Sequence, residues 1–208
     1  MRTLLVGALD VETRPLLDTL GRTRRIAPRT LLGTLDGQDV AVLTCGIGPA
    51  QAYRCTRAAL SIFPADRVVS IGTAGALVDG LDRGTVHGAT ALYSGGVHIS
   101  DLPALGSLPG APVSTVSRAV WDVERRKLLA DAGAWLVEME LAAVFDATRE
   151  QVPQATVHGI KVVSDAAGAS RRAPRRGLDR LAAIARFRLR ARTLCQDHLG
   201  PAVVDALR

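Results

Sequence analysis

The chain has few cysteines and no long apolar run, and each shortage excludes a class of protein. The three cysteines have neither metal-ligand spacing nor the even count of a disulfide framework. No window approaches the apolar length that a membrane span needs. The simplest location for such a chain is a reducing cytoplasm, and neither a metal nor an organic cofactor is expected.

The composition favours one folded domain over residues 1–208. Hydrophobic residues make up 48% of the chain, which excludes disorder and suffices for a sizeable core. The apolar run at 3–9 is too short for a signal peptide and passes into Asp10 and Glu12, so we interpret it as the first buried strand. Neither an internal repeat nor a linker is visible.

Positive charge is concentrated in the last quarter of the chain, although the net charge is only +6. A nucleic acid or another anionic partner is one interpretation of this run. We favour the solvated face of a helix, because the run lacks interleaved aromatic residues and its apolar residues, Leu181, Ile184, Phe187, Leu189 and Leu194, suit one buried side. The arginines concerned are Arg171, Arg172, Arg175, Arg176, Arg180, Arg186, Arg188, Arg190 and Arg192.

Strand and helix patterns alternate along the chain and predict an α/β fold. Strands are predicted at 3–9, 31–35, 40–44, 67–71, 85–93, 97–99, 113–120 and 157–163. Helices are predicted at 12–20, 50–63, 121–129, 138–149 and 178–198. The segments interpreted as connections are the basic stretch 22–29, the glycine-rich exit 72–76 and the loop 103–112. We therefore expect a three-layer αβα sandwich around a mixed central sheet.

Acidic residues stand at points where binding sites are common. Glu138 and Glu140 flank Met139 where a polar loop passes into an apolar helical run, and such carboxylates are costly unless they have partners. Asp165 follows an apolar strand, and Glu12 also follows one; in open α/β sheets ligands bind at the carboxyl ends of strands. Carboxylates placed in this way suit the binding of sugar hydroxyls and the donation of a proton.

Five short motifs occur in one order: Gly7-Ala8-Leu9-x-x-Glu12, Gly46-Ile47-Gly48, Ile71-Gly72-Thr73-Ala74-Gly75, Val137-Glu138-Met139-Glu140 and Val163-Ser164-Asp165. In this order and at nearly this spacing they resemble the nucleoside phosphorylase and nucleosidase superfamily, most closely the 5′-methylthioadenosine/S-adenosylhomocysteine nucleosidases. The resemblance runs from residue 3 to about residue 170. It implies the phosphorylase/hydrolase-like fold, a small-molecule nucleoside substrate and a homodimer.

The resemblance also implies a role for each motif. Glu12 would activate the attacking water, Glu140 would hold the ribose hydroxyls, and Asp165 would protonate the leaving purine. The remaining residues implied to bind substrate are Met139, Ser164, Glu138, Thr73, Gly75, Ile47, Leu9 and Val120. Singly, each acid has a structural alternative, such as a helix N-terminal acid for Glu12 or a turn residue for Asp165.

Hydrolysis is predicted over phosphorolysis, because a phosphate cradle normally uses arginine. By the resemblance, the phosphorylase branch has one arginine before the glycine-rich exit and another after the first strand. Ser70 and the loop Ala8-Leu9-Asp10 stand at these places. A purine nucleoside phosphorylase stays open as an alternative, since Arg54 or an arginine of a partner chain can reach the site.

The identity of the 5′ group is where the resemblance is weakest. In the family, an aromatic residue from the segment before the Glu-Met-Glu motif usually stacks on adenine, and another aromatic residue closes over the 5′ group. In this chain the corresponding segments are 117–121 and the arginine-rich stretch after Asp165. We expect a larger or differently charged 5′ group, as in the futalosine hydrolases or the adenosylhopane-cleaving branch. A non-catalytic nucleoside-binding module is the interpretation from another class.

Overall fold

A mixed sheet of ten strands forms the centre of the computed structural model, which describes residues 1–167 and 187–208. The strands are β1 (Arg2–Gly7), β2 (Gly21–Ala27), β3 (Thr30–Leu35), β4 (Gln38–Thr44), β5 (Arg67–Ala76), β6 (Val86–Ser94), β7 (Val97–Asp101), β8 (Gly110–Thr115), β9 (Leu136–Glu138) and β10 (Thr156–Asp165). The helices are α1 (Asp10–Leu17), α2 (Pro49–Ile62), α3 (Val123–Asp131), α4 (Leu141–Gln151), α5 (described over 187–194) and α6 (Gly200–Leu207), with a π-helical turn at Cys195–Leu199 between the last two.

The long strand β5 joins an open half of the sheet to a closed half. On one side β5 pairs in parallel with β1, which pairs in parallel with β4; β3 and β2 then continue antiparallel to the edge. On the other side β5 pairs with β10, and its end at Gly75 and Ala76 pairs with β9. Because β10 pairs with β6, β6 with β8 and β8 with β9, these five strands close into a ring.

Helices cover both faces of the sheet, which confirms the predicted three-layer arrangement. Leu5 of β1 packs in the core beneath α1 and the C-terminal helices, whereas Leu4 and Val6 pack in the core beneath α2 and α4. The two faces of β1 are therefore both buried, as expected for a nearly continuous apolar run in a parallel strand. Each such leucine or valine contributes about 2 kcal/mol by leaving water.

Three predicted connections differ in the structure. The basic stretch 22–29 lies largely in β2, an edge strand whose exposed charged side chains hide the period-two pattern. The glycine-rich segment 72–76 continues β5, because β10 and β9 supply its backbone partners. The predicted loop 103–112 ends in β8, which stops at Thr115, five residues short of the predicted strand end.

Glu138 closes the three-residue strand β9 and does not begin a helix, and a strand so short shows no alternation.

The C-terminal helical region extends past the predicted end at residue 198. A π-helical turn leads into α6, with Pro201 in the first turn of α6, where a proline is tolerated. Leu194 is buried as expected, whereas Leu189 is 70% exposed, contrary to the predicted buried side. The start of the predicted helix and the arginines from 171 to 186 lie outside the described residues. No helix in the described ranges is long and apolar enough to cross a membrane.

Candidate active site

Four acidic residues meet at one edge of the sheet. The strands β4, β1, β5 and β10 run parallel, so their carboxyl ends lie side by side. Glu12 comes three residues into α1 after β1, and Asp165 ends β10. The short strand β9 crosses the end of β5 and brings Glu138 and Glu140 to the same edge. The fold thus gathers carboxylates from three distant parts of the sequence.

Glu12 is buried and receives four hydrogen bonds. Its Oε2 accepts from the backbone N–H groups of Ala8 at 2.9 Å and Leu9 at 3.0 Å, and its Oε1 accepts from the N–H of Thr73 at 3.0 Å and the Thr73 hydroxyl at 3.2 Å. A Cβ on Gly72 would come 2.8 Å from Oε1, so only glycine lets the carboxylate lie this close to β5. Burial raises the pKa of the Glu12 carboxyl, while these backbone donors and the charge of Lys161 lower it.

Glu138 forms a buried ion pair with Lys161, a residue of β10. The Lys161 ammonium lies 3.0 Å from Glu138 Oε2 and donates to the Ser70 hydroxyl at 2.9 Å. Both side chains are almost fully buried, at 2% and 1% exposure. Glu138 also accepts from the Thr115 hydroxyl and from the N–H groups of Glu140 and Leu141. Its carboxylate therefore fixes the first turn of α4 and the backbone of the predicted Glu-Met-Glu motif.

Glu140 points toward the turn after β4. Its Oε1 accepts a hydrogen bond of 2.7 Å from the backbone N–H of Gly48. Burial, and next the charge of Glu138, raise the pKa of Glu140 to about 7; the Gly48 donor and the charge of Lys161 lower it, and the charge of Glu12 adds to the rise. Glu140 is therefore a carboxyl that changes its charge near neutral pH.

Asp165 is held by a neighbour on each oxygen. Ser164 donates to Oδ1 at 2.7 Å, and the Arg126 guanidinium forms an ion pair with Oδ2; both side chains of the pair are 13–14% exposed. Arg126 also donates to the backbone carbonyls of Ala76, Val120 and Ala166. Arg126 therefore connects α3 to the end of β10.

The other predicted residues surround these carboxylates. A Cβ on Gly75 would come 3.3 Å from both Asp165 oxygens, so this glycine lets Asp165 approach β5. Ile47 lies beside the Gly48 turn and is 54% exposed. Leu9 is partly buried at the end of β1, while Met139 is partly buried against the apolar cluster that contains Val120. Val120 packs in that cluster and meets the site through its carbonyl and Arg126.

Sequence reasoning missed two cations of this site, Lys161 and Arg126. Lys161 had a usable signal, because a lysine inside the apolar run 160–163 requires a buried partner. Arg126 had none, since it stands in the charged run 124–127 and nothing in the run shows which member turns inward.

Replacing Arg126 with methionine is expected to lower the free energy of unfolding by about 2 kcal/mol, because Asp165 and three backbone carbonyls lose a largely buried donor. Chemical denaturation measures this loss. Arg125→Met is the matched control, since Arg125 is the exposed neighbour on the same helix. Equal stability of the two variants would show that the ion pair contributes nothing.

The family model described as the phosphorylase superfamily matches residues 2–115. This segment contains Glu12 and Thr73 and ends before β9. The 5′-methylthioadenosine/S-adenosylhomocysteine nucleosidase of Anoxybacillus flavithermus is 30% identical over 116 residues, which cover 54% of this chain and 50% of that protein. The chain spans between 38% and 50% of the length of the curated relatives it matches.

Solved structures share the fold at low sequence identity. The 5′-methylthioadenosine/S-adenosylhomocysteine nucleosidase from Neisseria meningitidis, in complex with methylthio-immucillin-A, has a TM-score of 0.77 and 20% identity, with 100% of this chain and 99% of that chain covered. The futalosine hydrolase of Helicobacter pylori has a TM-score of 0.77 and 16% identity, with coverage of 100% and 97%. At these identities the likeness establishes the fold.

Proposed function

We propose, because this chain belongs to the phosphorylase superfamily, that it hydrolyses the N-glycosidic bond of a purine nucleoside. The observation that carries the proposal is the meeting of Glu12, Glu140 and Asp165 at the carboxyl edge of the sheet. Breaking the bond between C1′ and the purine leaves a ribose with oxocarbenium character and a base that needs a proton. One carboxylate that accepts a proton from water and one carboxyl group that donates a proton to the base meet both needs.

Glu12 is the proposed base that activates water. Burial raises the pKa of Glu12, which makes its carboxylate a stronger base, and Thr73 holds one oxygen of the carboxylate in place. Thr73 and the backbone at Gly75 lie along β5 beside it, where the water and the ribose would bind. The negative charge of Glu12 would also stabilise the positive charge that develops on the sugar.

Glu140 is the proposed acceptor for the ribose hydroxyls, with Met139 packing against the sugar. The oxygens of Glu138 are occupied by Lys161 and by backbone donors, so its proposed contribution to binding is to orient the Glu140 segment. Leu9 and Ile47 would line the nucleoside pocket on the β1 and β4 side, and the Val120 cluster would border it near α3.

Asp165 is the proposed acid that protonates the leaving purine. A carboxyl group offers about four positions for hydrogen bonds, and Ser164 and Arg126 use one on each oxygen. Once the carboxyl group is protonated, its O–H can donate to a purine ring nitrogen, while Ser164 fixes the rotation of the group. Transfer of this proton to the base accompanies the breaking of the bond between C1′ and the purine, and water, which gives a proton to Glu12, adds its hydroxyl to C1′.

The proposed substrate is an adenosine-type nucleoside of the 5′-methylthioadenosine or S-adenosylhomocysteine kind, with the 5′ group left open. The relatives' names support this substrate class. A phosphorylase, or a specialised enzyme for futalosine or adenosylhopane, is the alternative, and the non-catalytic module is the alternative from another class.

We also propose a homodimer, because Ile47 leaves an apolar side chain 54% exposed at the pocket. The three free thiols support a cytoplasmic location.

A base-release assay tests the proposed function. The wild-type chain is given purine nucleosides with varied bases and 5′ groups, each with and without inorganic phosphate, and Asp165→Asn serves as the control. Release without phosphate that is lost in the variant supports the nucleosidase. Release only with phosphate favours the phosphorylase, and no release from any nucleoside favours the binding module.

Nucleoside affinity is expected to depend on pH through Glu140. Its pKa of about 7 means that the ionised form, the better acceptor for ribose hydroxyls, becomes dominant as pH rises. The dissociation constant of a nucleoside should therefore fall about tenfold between pH 6 and pH 8. Calorimetric titration measures this change. The dependence should disappear in Glu140→Gln, and an identical pH profile in that variant would assign the titration to another group.

A further inference from the structure

A cluster of polar residues lies at the amino-terminal edge of the sheet, opposite the carboxylates. It consists of Arg67 at the start of β5, Thr3 in β1, and Thr156 and His158 in β10. We propose that this amino-edge cluster binds an oxyanion of the phosphate class, either inorganic phosphate or the phosphate group of a larger molecule. None of these residues belongs to the proposed nucleosidase mechanism, so the cluster is a second and separate site.

The pairing of the strands brings the four side chains together on one face. Thr3 pairs with Arg67 across β1 and β5, and Arg67 pairs with Thr156 across β5 and β10. Paired residues of neighbouring strands point to the same face on strands about 4.8 Å apart, and His158 follows Thr156 at the two-residue period of a strand. Val69, two residues after Arg67, packs in the core beneath α1 and the C-terminal helices, so the cluster borders that core.

Arg67 is a buried cation that lacks a carboxylate partner in the described parts of the chain. It is 8% exposed, and its Nε donates to the Thr3 hydroxyl at 3.1 Å. No acidic side chain in those parts forms a salt bridge with it. The neighbouring Asp66 turns its carboxylate to the backbone N–H of Arg2 at 2.7 Å. Burial lowers the pKa of the Arg67 guanidinium. A buried charge is costly unless it is paired, and an anion would supply the missing partner.

His158 supplies a second group that can carry a positive charge. It is 6% exposed, and its Nδ1 lies 3.0 Å from the Pro103 carbonyl oxygen, which can only accept, so Nδ1 carries a proton. Its Nε2 lies 3.1 Å from the Thr156 hydroxyl, which donates to it when the ring is neutral. Burial lowers the pKa of His158, the Pro103 carbonyl raises it and the charge of Arg67 lowers it. A bound anion would raise this pKa.

The donors of the amino-edge cluster suit a phosphate group. A guanidinium offers a planar fork of N–H groups that fits two oxygen atoms of a phosphate. A further oxygen atom can accept from the Thr156 hydroxyl once His158 is protonated, because Nε2 then donates to this hydroxyl and no longer accepts from it. The cluster contains no acid that would repel an anion, and Thr156 is exposed, so an anion can enter from solvent.

Thermal unfolding of the wild type and of Arg67→Met tests the anion site. Each protein is unfolded in chloride and in about 10 mM inorganic phosphate at equal ionic strength. The wild type is expected to gain about 4 °C in its Tm from phosphate, which corresponds to a Kd of about 1 mM, and Arg67→Met should gain nothing. In chloride the variant should be at least as stable as the wild type, because methionine removes a buried charge that has no partner. No gain in the wild type, or an equal gain in the variant, overturns the proposal.

Arg67→Gln is the second variant, because its amide can keep the hydrogen bond to Thr3 while the charge and the two Nη groups are lost. It should also lose the gain from phosphate, so the site is tested even where Arg67→Met does not fold. Arg24→Met is the matched control, since Arg24 is an exposed arginine of the edge strand β2 and should keep the full gain. A gain that persists in a folded Arg67 variant places the phosphate elsewhere, for example at the carboxylate edge, and overturns the proposal.

Glycerol phosphate, a phosphate monoester, separates the two sources of the anion. A gain with both ligands that is lost in Arg67→Gln assigns the cluster to the phosphate group of a larger molecule, and a gain with inorganic phosphate alone assigns it to the free ion. Both results support the proposal. A wild type that gains stability from neither ligand overturns it.

Discussion

Replacing Glu12 with glutamine is expected to reduce base release by about a thousandfold, the size of a lost general base. The amide keeps the shape of the side chain but cannot accept a proton from water. Steady-state release of adenine, followed by absorbance, measures the loss. The Thr73 and Leu9 contacts weaken as well, so the thermal stability of the variant has to be measured in parallel.

Glu124→Gln is the matched control for this experiment, because Glu124 is exposed on α3. It should keep full activity. A folded Glu12→Gln variant that retains more than a tenth of the activity would show that Glu12 acts as a helix N-terminal acid and does not activate water.

Replacing Lys161 with methionine is expected to lower the free energy of unfolding by about 3–5 kcal/mol. The change leaves the buried Glu138 carboxylate without its cation and the Ser70 hydroxyl without its donor. Adding Glu138→Gln removes the stranded charge, so the double variant should recover part of the loss. Denaturation of the wild type, both single variants and the double variant gives the coupling energy.

A loss below about 1 kcal/mol for Lys161→Met would contradict the buried pair, because an unpaired buried charge costs more than that. Lys127→Met serves as the control, since Lys127 pairs with Asp131 on the exposed face of α3. Removing that exposed pair should leave the stability nearly unchanged.

Most of the fold could be predicted from the sequence, because the central strands are buried on both faces. The run at 3–9 and the hairpin around Asp36-Gly37 are visible as apolar segments beside a turn signal, and the structure confirms them. Strand β2 could not be predicted in this way, since its side chains face solvent and only its backbone joins the sheet. The ring of strands also depends on pairings between distant segments, which local patterns do not encode.

The acids of the candidate site were predictable, whereas their cationic partners were largely not. Glu12 and Asp165 follow apolar strands, so their positions at strand ends indicated a binding site from the sequence alone. The partner of Asp165 comes from α3, where the neighbours Arg125 and Arg126 differ only in the direction of the helix face.

The hydrolytic role of these carboxylates is tested most directly by the sugar that the wild-type chain releases, in phosphate buffer, from the nucleoside of the base-release panel that it binds most tightly. We expect the free purine and an equal amount of the free sugar, since water activated by Glu12 is the nucleophile. A sugar 1-phosphate as the product, or a bound nucleoside that stays intact, would contradict the hydrolytic role of these carboxylates.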